Sequence, residues 1–167
     1  MKKANKIVII ALVILVSVTV AVYFYPHPNM GNEGSILVRG AVSNPENLTD
    51  NQIEAFPPVT IQVNLSNSPS QSELGIFNYT GVPLKVLLGQ AHMSSKATSV
   101  FIQATDSYSA TLSIEEAQKA STILAYQKDG EPMFPLSTGG EGPIRLIMGE
   151  QNAPHDWVKG VSLIEVR

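Results

Sequence analysis

The sequence predicts an α+β domain, rich in short strands with two or three short helices, placed after one N-terminal transmembrane helix. Three observations lead there. An uncharged apolar run opens the chain at residues 7–25. Beyond it and a short Pro/Asn/Gly linker, residues 26–33, about 134 residues remain (34–167), a common size for one domain with one core. Within them, β-branched runs recur between turn signals, with only brief helical stretches among them. No internal repeat is visible.

The apolar run, IVIIALVILVSVTVAVYFY, is interrupted only by Ser17 and Thr19. At ~1.5 Å per residue a helix of that length spans roughly 28 Å, close to the ~30 Å hydrocarbon core of a bilayer. Lipid imposes the helix despite the many Val and Ile, because every backbone N–H must find a partner within the segment. Lys2, Lys3 and Lys6 precede it and no Lys or Arg follows until Arg39, so the N-terminus is expected to stay cytoplasmic and the domain outside the cell membrane. Tyr23, Phe24 and Tyr25 suit the interfacial belt, and Pro26 and Pro28 stop the helix. A cleaved signal peptide shares the basic start, but its apolar region runs only ~7–15 residues. Thr19-Val20-Ala21 is a passable cleavage site at best. A lipoprotein is excluded, since no cysteine exists to carry the lipid.

The elements of the domain follow in order. Ser35-Ile36-Leu37-Val38-Arg39-Gly40 reads as a strand and Ala41-Val42-Ser43-Asn44-Pro45 as a turn. Thr49 is placed to cap a short helix or turn through Ile53, with Asp50 and Gln52 in its first turn. Pro57-Pro58 breaks the chain before Val59-Thr60-Ile61-Gln62-Val63, whose period-two pattern puts Val59, Ile61 and Val63 on one face. Residues 64–80 are Asn/Ser/Pro/Gln-rich and predict a loop. Pro83 opens a helix reaching Ala91. A strand at 99–104, a turn at 105–107 and an extended stretch at 109–112 lead to Ser113, which caps a helix at 114–120. Strands at 122–127, 144–148 and 158–166 complete the chain, with a tight turn at Lys128-Asp129-Gly130-Glu131.

Composition excludes several function classes. With the three N-terminal lysines set aside, 8 basic residues face 14 acidic ones, about −6 for everything beyond the anchor, which argues against nucleic acid and charge-driven headgroup binding. The absence of cysteine rules out disulfides, thiolate metal sites and cysteine nucleophiles. Asn47, Asn64 and Asn78 begin N-x-S/T sequons and are candidate glycan acceptors on an external domain.

Candidate site residues are few, and no local catalytic motif is present. His27 falls in the linker, and His92 and His155 read as isolated, exposed loop histidines. Glu115 and Glu116 are adjacent helix positions that do not face each other; they suit the positive end of the helix dipole better than paired acid–base work. Gly139-Gly140-Glu141-Gly142 reads as a plain turn or as a place where backbone amides approach a phosphate. Arg145 points away from Ile144 and Leu146 along its strand, which leaves open a surface arginine or a ligand-binding one. Lys159 sits likewise at the start of the last strand, beside Trp157, which reads as a structural plug. If those two strands are neighbours, Arg145, Lys159 and the amides of residues 139–142 converge on one concavity, unless Glu141, Glu150 or Glu165 pairs with the cations.

Six segments in order carry a family resemblance: Gly81-Val82-Pro83-Leu84, Asp106-Ser107-Tyr108-Ser109, Leu124-Ala125-Tyr126, Asp129-Gly130-Glu131-Pro132-Met133, Gly142-Pro143-Ile144-Arg145-Leu146 and Trp157-Val158-Lys159-Gly160-Val161. The opening strand with Gly40-Ala41-Val42-Ser43-Asn44-Pro45 extends it. Together they resemble the molybdopterin-binding domain of the sulfite oxidase family. The resemblance implies a mixed α+β fold and, as cofactor, a molybdenum–pterin that moves oxygen atoms or electrons. It implies pterin contacts at Arg145 and Lys159, with Gly140 where a polar residue often stands. It also implies a metal-ligating cysteine at position 63, where this sequence has valine. A valine side chain cannot replace a soft, anionic thiolate. The sequence therefore predicts no catalytic residue, no metal ligand and no bound cofactor. It predicts a membrane-anchored binding module for a small anion, a pterin or a partner protein. Two alternatives remain: an oxidoreductase that keeps molybdopterin without a cysteine ligand, and a cell-envelope interaction module.

Overall fold

The computed structural model describes residues 34–65, 74–149 and 157–167, and in it the two ends of the domain lie side by side in one sheet. The transmembrane helix and linker expected at 1–25 and 26–33 fall outside the described residues. Among the described residues no helix is long and apolar enough to cross a membrane.

In chain order the elements are β1 (Ser35–Gly40), β2 (Glu46–Thr49), α1 (Asp50–Glu54), β3 (Val59–Asn64), β4 (Ile76–Pro83), α2 (Leu84–Gln90), β5 (Ser99–Ala104), β6 (Ser109–Ser113), α3 (Ile114–Gln118), β7 (Thr122–Lys128), β8 (Glu131–Pro132), β9 (Arg145–Met148) and β10 (Val161–Val166). They form two sheets. The first runs β2-β1-β10-β5-β6, with β1 and β10 parallel and the other pairs antiparallel. The second runs β3-β4-β7-β8, all antiparallel, with β9 also paired to β7.

One core joins them: Ile36, Val38, Val100, Ile102 and Ile164 from the first sheet, Val82, Ile123, Leu124 and Ile147 from the second, and Leu84, Leu87 and Leu88 from α2. Three of the seven residues of α2 are buried, and Pro83 stands at its N-cap, one position before the predicted first turn.

Local chemistry fixes the short helices. Thr49 and Ser113 each accept a hydrogen bond from a backbone N–H three residues on, while Gln52 and Glu116 reach back to the cap N–H. These are capping boxes, and they satisfy donors that helices of five residues have little other means to satisfy. The second helix so capped ends at Gln118, short of Ala120. Asp129 (φ 52°) and Gly130 (φ 87°) are both left-handed, as a two-residue hairpin turn requires.

Two expectations need correction, and one strand lay where none was assigned. The loop predicted at 64–80 includes the first five residues of β4, an eight-residue strand in the middle of its sheet. The segment Ile76-Phe77-Asn78-Tyr79-Thr80 alternates, and it buries Tyr79 completely. Its polar neighbours masked that pattern. Residues 46–49 also form a strand, β2, before the Thr49 cap. The last strand starts at Val161 rather than 158, because Trp157–Gly160 run beside β9 instead of joining the first sheet.

Candidate functional site

β9 is enclosed on both sides. Leu124 and Ala125 of β7 pair with Leu146 and Arg145. On the other flank Leu146 N donates to Val158 O (2.8 Å), Val161 N donates to Ile144 O (2.9 Å), and Arg145 forms an antiparallel bridge with Lys159. A strand held in this way has no solvent face, and all four of its residues are buried, Arg145 at 1% exposure. The strands of Arg145 and Lys159 are thus neighbours. The surface arginine allowed by alternation is corrected to a buried one.

A buried guanidinium needs a partner anion. Arg145 Nη1 donates to Glu141 Oε2 at 2.6 Å. Glu141 also accepts from Lys128 Nζ at Oε2 (3.4 Å) and from Lys159 Nζ at Oε1 (3.5 Å). Three cations from three separate segments therefore meet at one carboxylate. Glu141 and Lys128 are each one-quarter exposed and Lys159 is 41% exposed, so the cluster opens to solvent on the lysine side and closes on Arg145.

An aromatic row lies beneath the cations. Phe77 and Tyr79 share a face of β4 with ring centroids 6.4 Å apart, and Trp157 meets Tyr79 edge-on at 5.8 Å. Arg145 Cζ lies 5.2 Å from the Trp157 ring and 5.9 Å from Tyr79, and Lys128 Nζ lies 4.4 Å over Phe77. Rings present negative faces to cations, an attraction that strengthens where water is excluded. Trp157 is 3% exposed, which suits the plug role, and its indole Nε1 has no hydrogen-bond partner among the described residues.

The glycine loop does something other than cradle an anion. Gly139 N donates to Leu136 O, Gly140 N to Pro135 O and Gly142 N to Phe134 O, all at 2.8–2.9 Å. These amides close the turn on itself. A Cβ on Gly140 would lie 2.0 Å from Phe134 O, so glycine is required there for close backbone approach. Of the residues 139–142, Glu141 is the one that sends its side chain into the cation cluster.

Val63, at the position where the resemblance places a cysteine, is 2% exposed in the core and pairs with Phe77 across β3 and β4. Among the described residues no three His, Asp or Glu side chains gather as a metal site. With valine at position 63 and no cysteine in the sequence, no thiolate is present to ligate the molybdenum of such a cofactor. The sequon asparagines Asn47, Asn64 and Asn78 are all exposed, as is His92. An open hollow of about 700 Å³, lined by Ser43, Lys85, His92, Ser94 and Gln118 among others, shares no residue with the cation cluster.

Sequence reasoning named Arg145 and Lys159, and named Glu141 among the carboxylates that could pair with them, which it does; it did not single out Lys128, Phe77 or Tyr79. The alternation at residues 76–80 was the available signal for the two aromatics; Lys128, at the edge of a turn, carried none.

This arrangement of sheets belongs to a recognisable class. The chain is a member of the oxidoreductase molybdopterin binding domain family, which matches residues 26–167. Among solved structures it is similar to the sulfane dehydrogenase SoxCD from Paracoccus pantotrophus, with a TM-score of 0.65 and 22% identity over 79% of this chain. The match covers 37% of that chain, and at this identity it speaks for the fold alone. No curated protein matches the sequence.

Proposed function

We propose that this protein is a membrane-tethered, extracytoplasmic binding domain that keeps the molybdopterin-binding fold without molybdenum chemistry, and that Lys128, Arg145 and Lys159 receive a small anionic ligand. The convergence of three cationic side chains from β7, β9 and the segment before β10 at one solvent-facing point carries the reading. A guanidinium fork flanked by two ammonium groups suits phosphate or carboxylate oxygens, including those of a pterin phosphate. The buried Val63 and the lack of any cysteine speak against a resident molybdenum. The tether rests on the uncharged run at 7–25 and the lysines before it.

Pyrophosphate titration tests the anion site. Saturating pyrophosphate raises the melting temperature of the wild type, with a stabilisation of about 2.7 kcal/mol at a hundredfold excess over Kd. Lys128→Ala and Lys159→Ala, both partly exposed, lose most of that response without losing the fold. Equal responses in wild type and both variants, or none in any, would overturn the site. A second reading draws on membership of an oxidoreductase family: the domain retains molybdopterin without a thiolate ligand. Stoichiometric molybdenum in protein made by a cofactor-synthesising host would favour that reading and sink the first.

A further inference from the structure

We infer that Glu141 is a displaceable internal carboxylate that holds the anion position in the ligand-free protein and selects for phosphoryl over carboxylate ligands. This rests on the anion site proposed above.

Three observations support it. Both carboxylate oxygens are engaged, but unequally: 2.6 Å to Arg145, against 3.4 and 3.5 Å to Lys128 and Lys159. From its place in this loop the Glu141 carboxylate gives only one of the three cations a short contact. A phosphoryl group, with three terminal oxygens in a tetrahedral arrangement, offers one oxygen to each. Secondly, Arg145 is 1% exposed and Glu141 one-quarter exposed, so an incoming anion reaches the guanidinium by taking the place of this carboxylate. Thirdly, the backbone on either side of Glu141 is pinned. Gly140 N and Gly142 N are bonded to Pro135 O and Phe134 O, and a Cβ on Gly142 would approach Met133 Cβ at 2.9 Å. Glu141 therefore leaves by rotating its own side chain into solvent while the loop stays in place. A free monocarboxylate gains nothing by this exchange, because it replaces like with like and pays the entropy of binding.

The test compares inorganic phosphate with acetate at fixed ionic strength on the full-length chain, read by Trp157 fluorescence and melting temperature. Wild type responds to phosphate and not to acetate. Glu141→Gln binds phosphate about tenfold more tightly, equivalent to ~1.4 kcal/mol, the size of one charge-assisted bond no longer competing. In Glu141→Ala, acetate now binds and restores part of the lost melting temperature. Glu141→Asp, shorter by one methylene, moves phosphate affinity in the same direction and guards against misfolding of the neutral variants. A phosphate response in wild type that is unchanged or weakened in Glu141→Gln and Glu141→Asp would overturn the role of Glu141 and leave the anion site standing. No phosphate response in any variant would overturn both.

Discussion

Replacing Arg145 tests the site and the fold together, because its side chain is both the most buried cation of the cluster and a packing element. Truncation to alanine removes three stabilising contributions at once. The charge-assisted bond to Glu141 at 2.6 Å contributes about 1.5–3 kcal/mol. Contact with the faces of Trp157 and Tyr79 adds about 0.5–1 kcal/mol. Burial of the methylene stem adds ~0.8 kcal/mol per CH₂. Against these stands the desolvation of the guanidinium, which the variant no longer suffers. Glu141 is not stranded by the change, since it is one-quarter exposed and keeps both lysines. The net expectation is a loss of about 3–4 kcal/mol for Arg145→Ala. Arg145→Met keeps most of the stem volume and is expected to lose about half as much. Urea unfolding followed by the fluorescence of Trp157, the sole tryptophan, and checked for coincidence with circular dichroism, measures both. A loss below ~1 kcal/mol for Arg145→Ala would place the residue among ordinary surface cations and refute the buried-pair account. Equal losses for Ala and Met would assign the stabilisation to charge alone.

Four further outcomes follow from other parts of the chain. Thr49→Ala and Ser113→Ala each remove a side-chain cap and cost about 1 kcal/mol, additive in the double variant because the helices they cap are separate. The Glu165 carboxyl is held below the usual range, first by its hydrogen bond from Arg167 and then by Arg39. Its folded value is lower than its unfolded one, so its stabilisation is present above the ordinary carboxylate range and disappears as pH falls through the lowered value; an acid titration of Arg167→Ala should show a smaller drop than wild type over that window. Val63→Cys leaves molybdenum content at zero by metal analysis, because the thiol enters a position 2% exposed in the core. Protease added to intact cells cuts the domain while a tag before Lys2 stays protected; a mature N-terminus near Tyr23 would instead establish a cleaved signal peptide.

Where side-chain pattern and turn chemistry agreed, the sequence was readable. The caps at Thr49 and Ser113, the hairpin at Asp129-Gly130 and the strands β1, β3, β5 and β7 each carry their own local signal, and the structure keeps them with small shifts at the ends. β4 was hidden because an Asn/Ser/Pro-rich stretch precedes it, and composition over a window outweighed a five-residue alternation inside it. Its burial is a tertiary effect, since β3 and β7 cover both edges.

The site was legible only in half, for a reason its geometry supplies. Arg145 and Lys159 stood out as basic residues in apolar strands, and the bridge between them follows once β9 and the segment 157–161 are neighbours. Whether a cation in a strand faces water or the interior depends on what flanks the strand, and alternation along β9 says nothing of that. Lys128 read as a member of a turn, where charges are ordinarily solvated, and Glu141 as one of three carboxylates that could pair with the cations. They become a site because β7 ends beside β9 and because the tightly bonded glycine turn aims Glu141, and not its own amides, into the cluster. A glycine-rich loop next to a buried arginine resembles an anion cradle in sequence. In the folded chain the loop closes on itself and delivers a carboxylate to the place where an anion would sit. Cradle and carboxylate have the same composition and opposite electrostatic meaning, so only the direction of the loop's hydrogen bonds separates them.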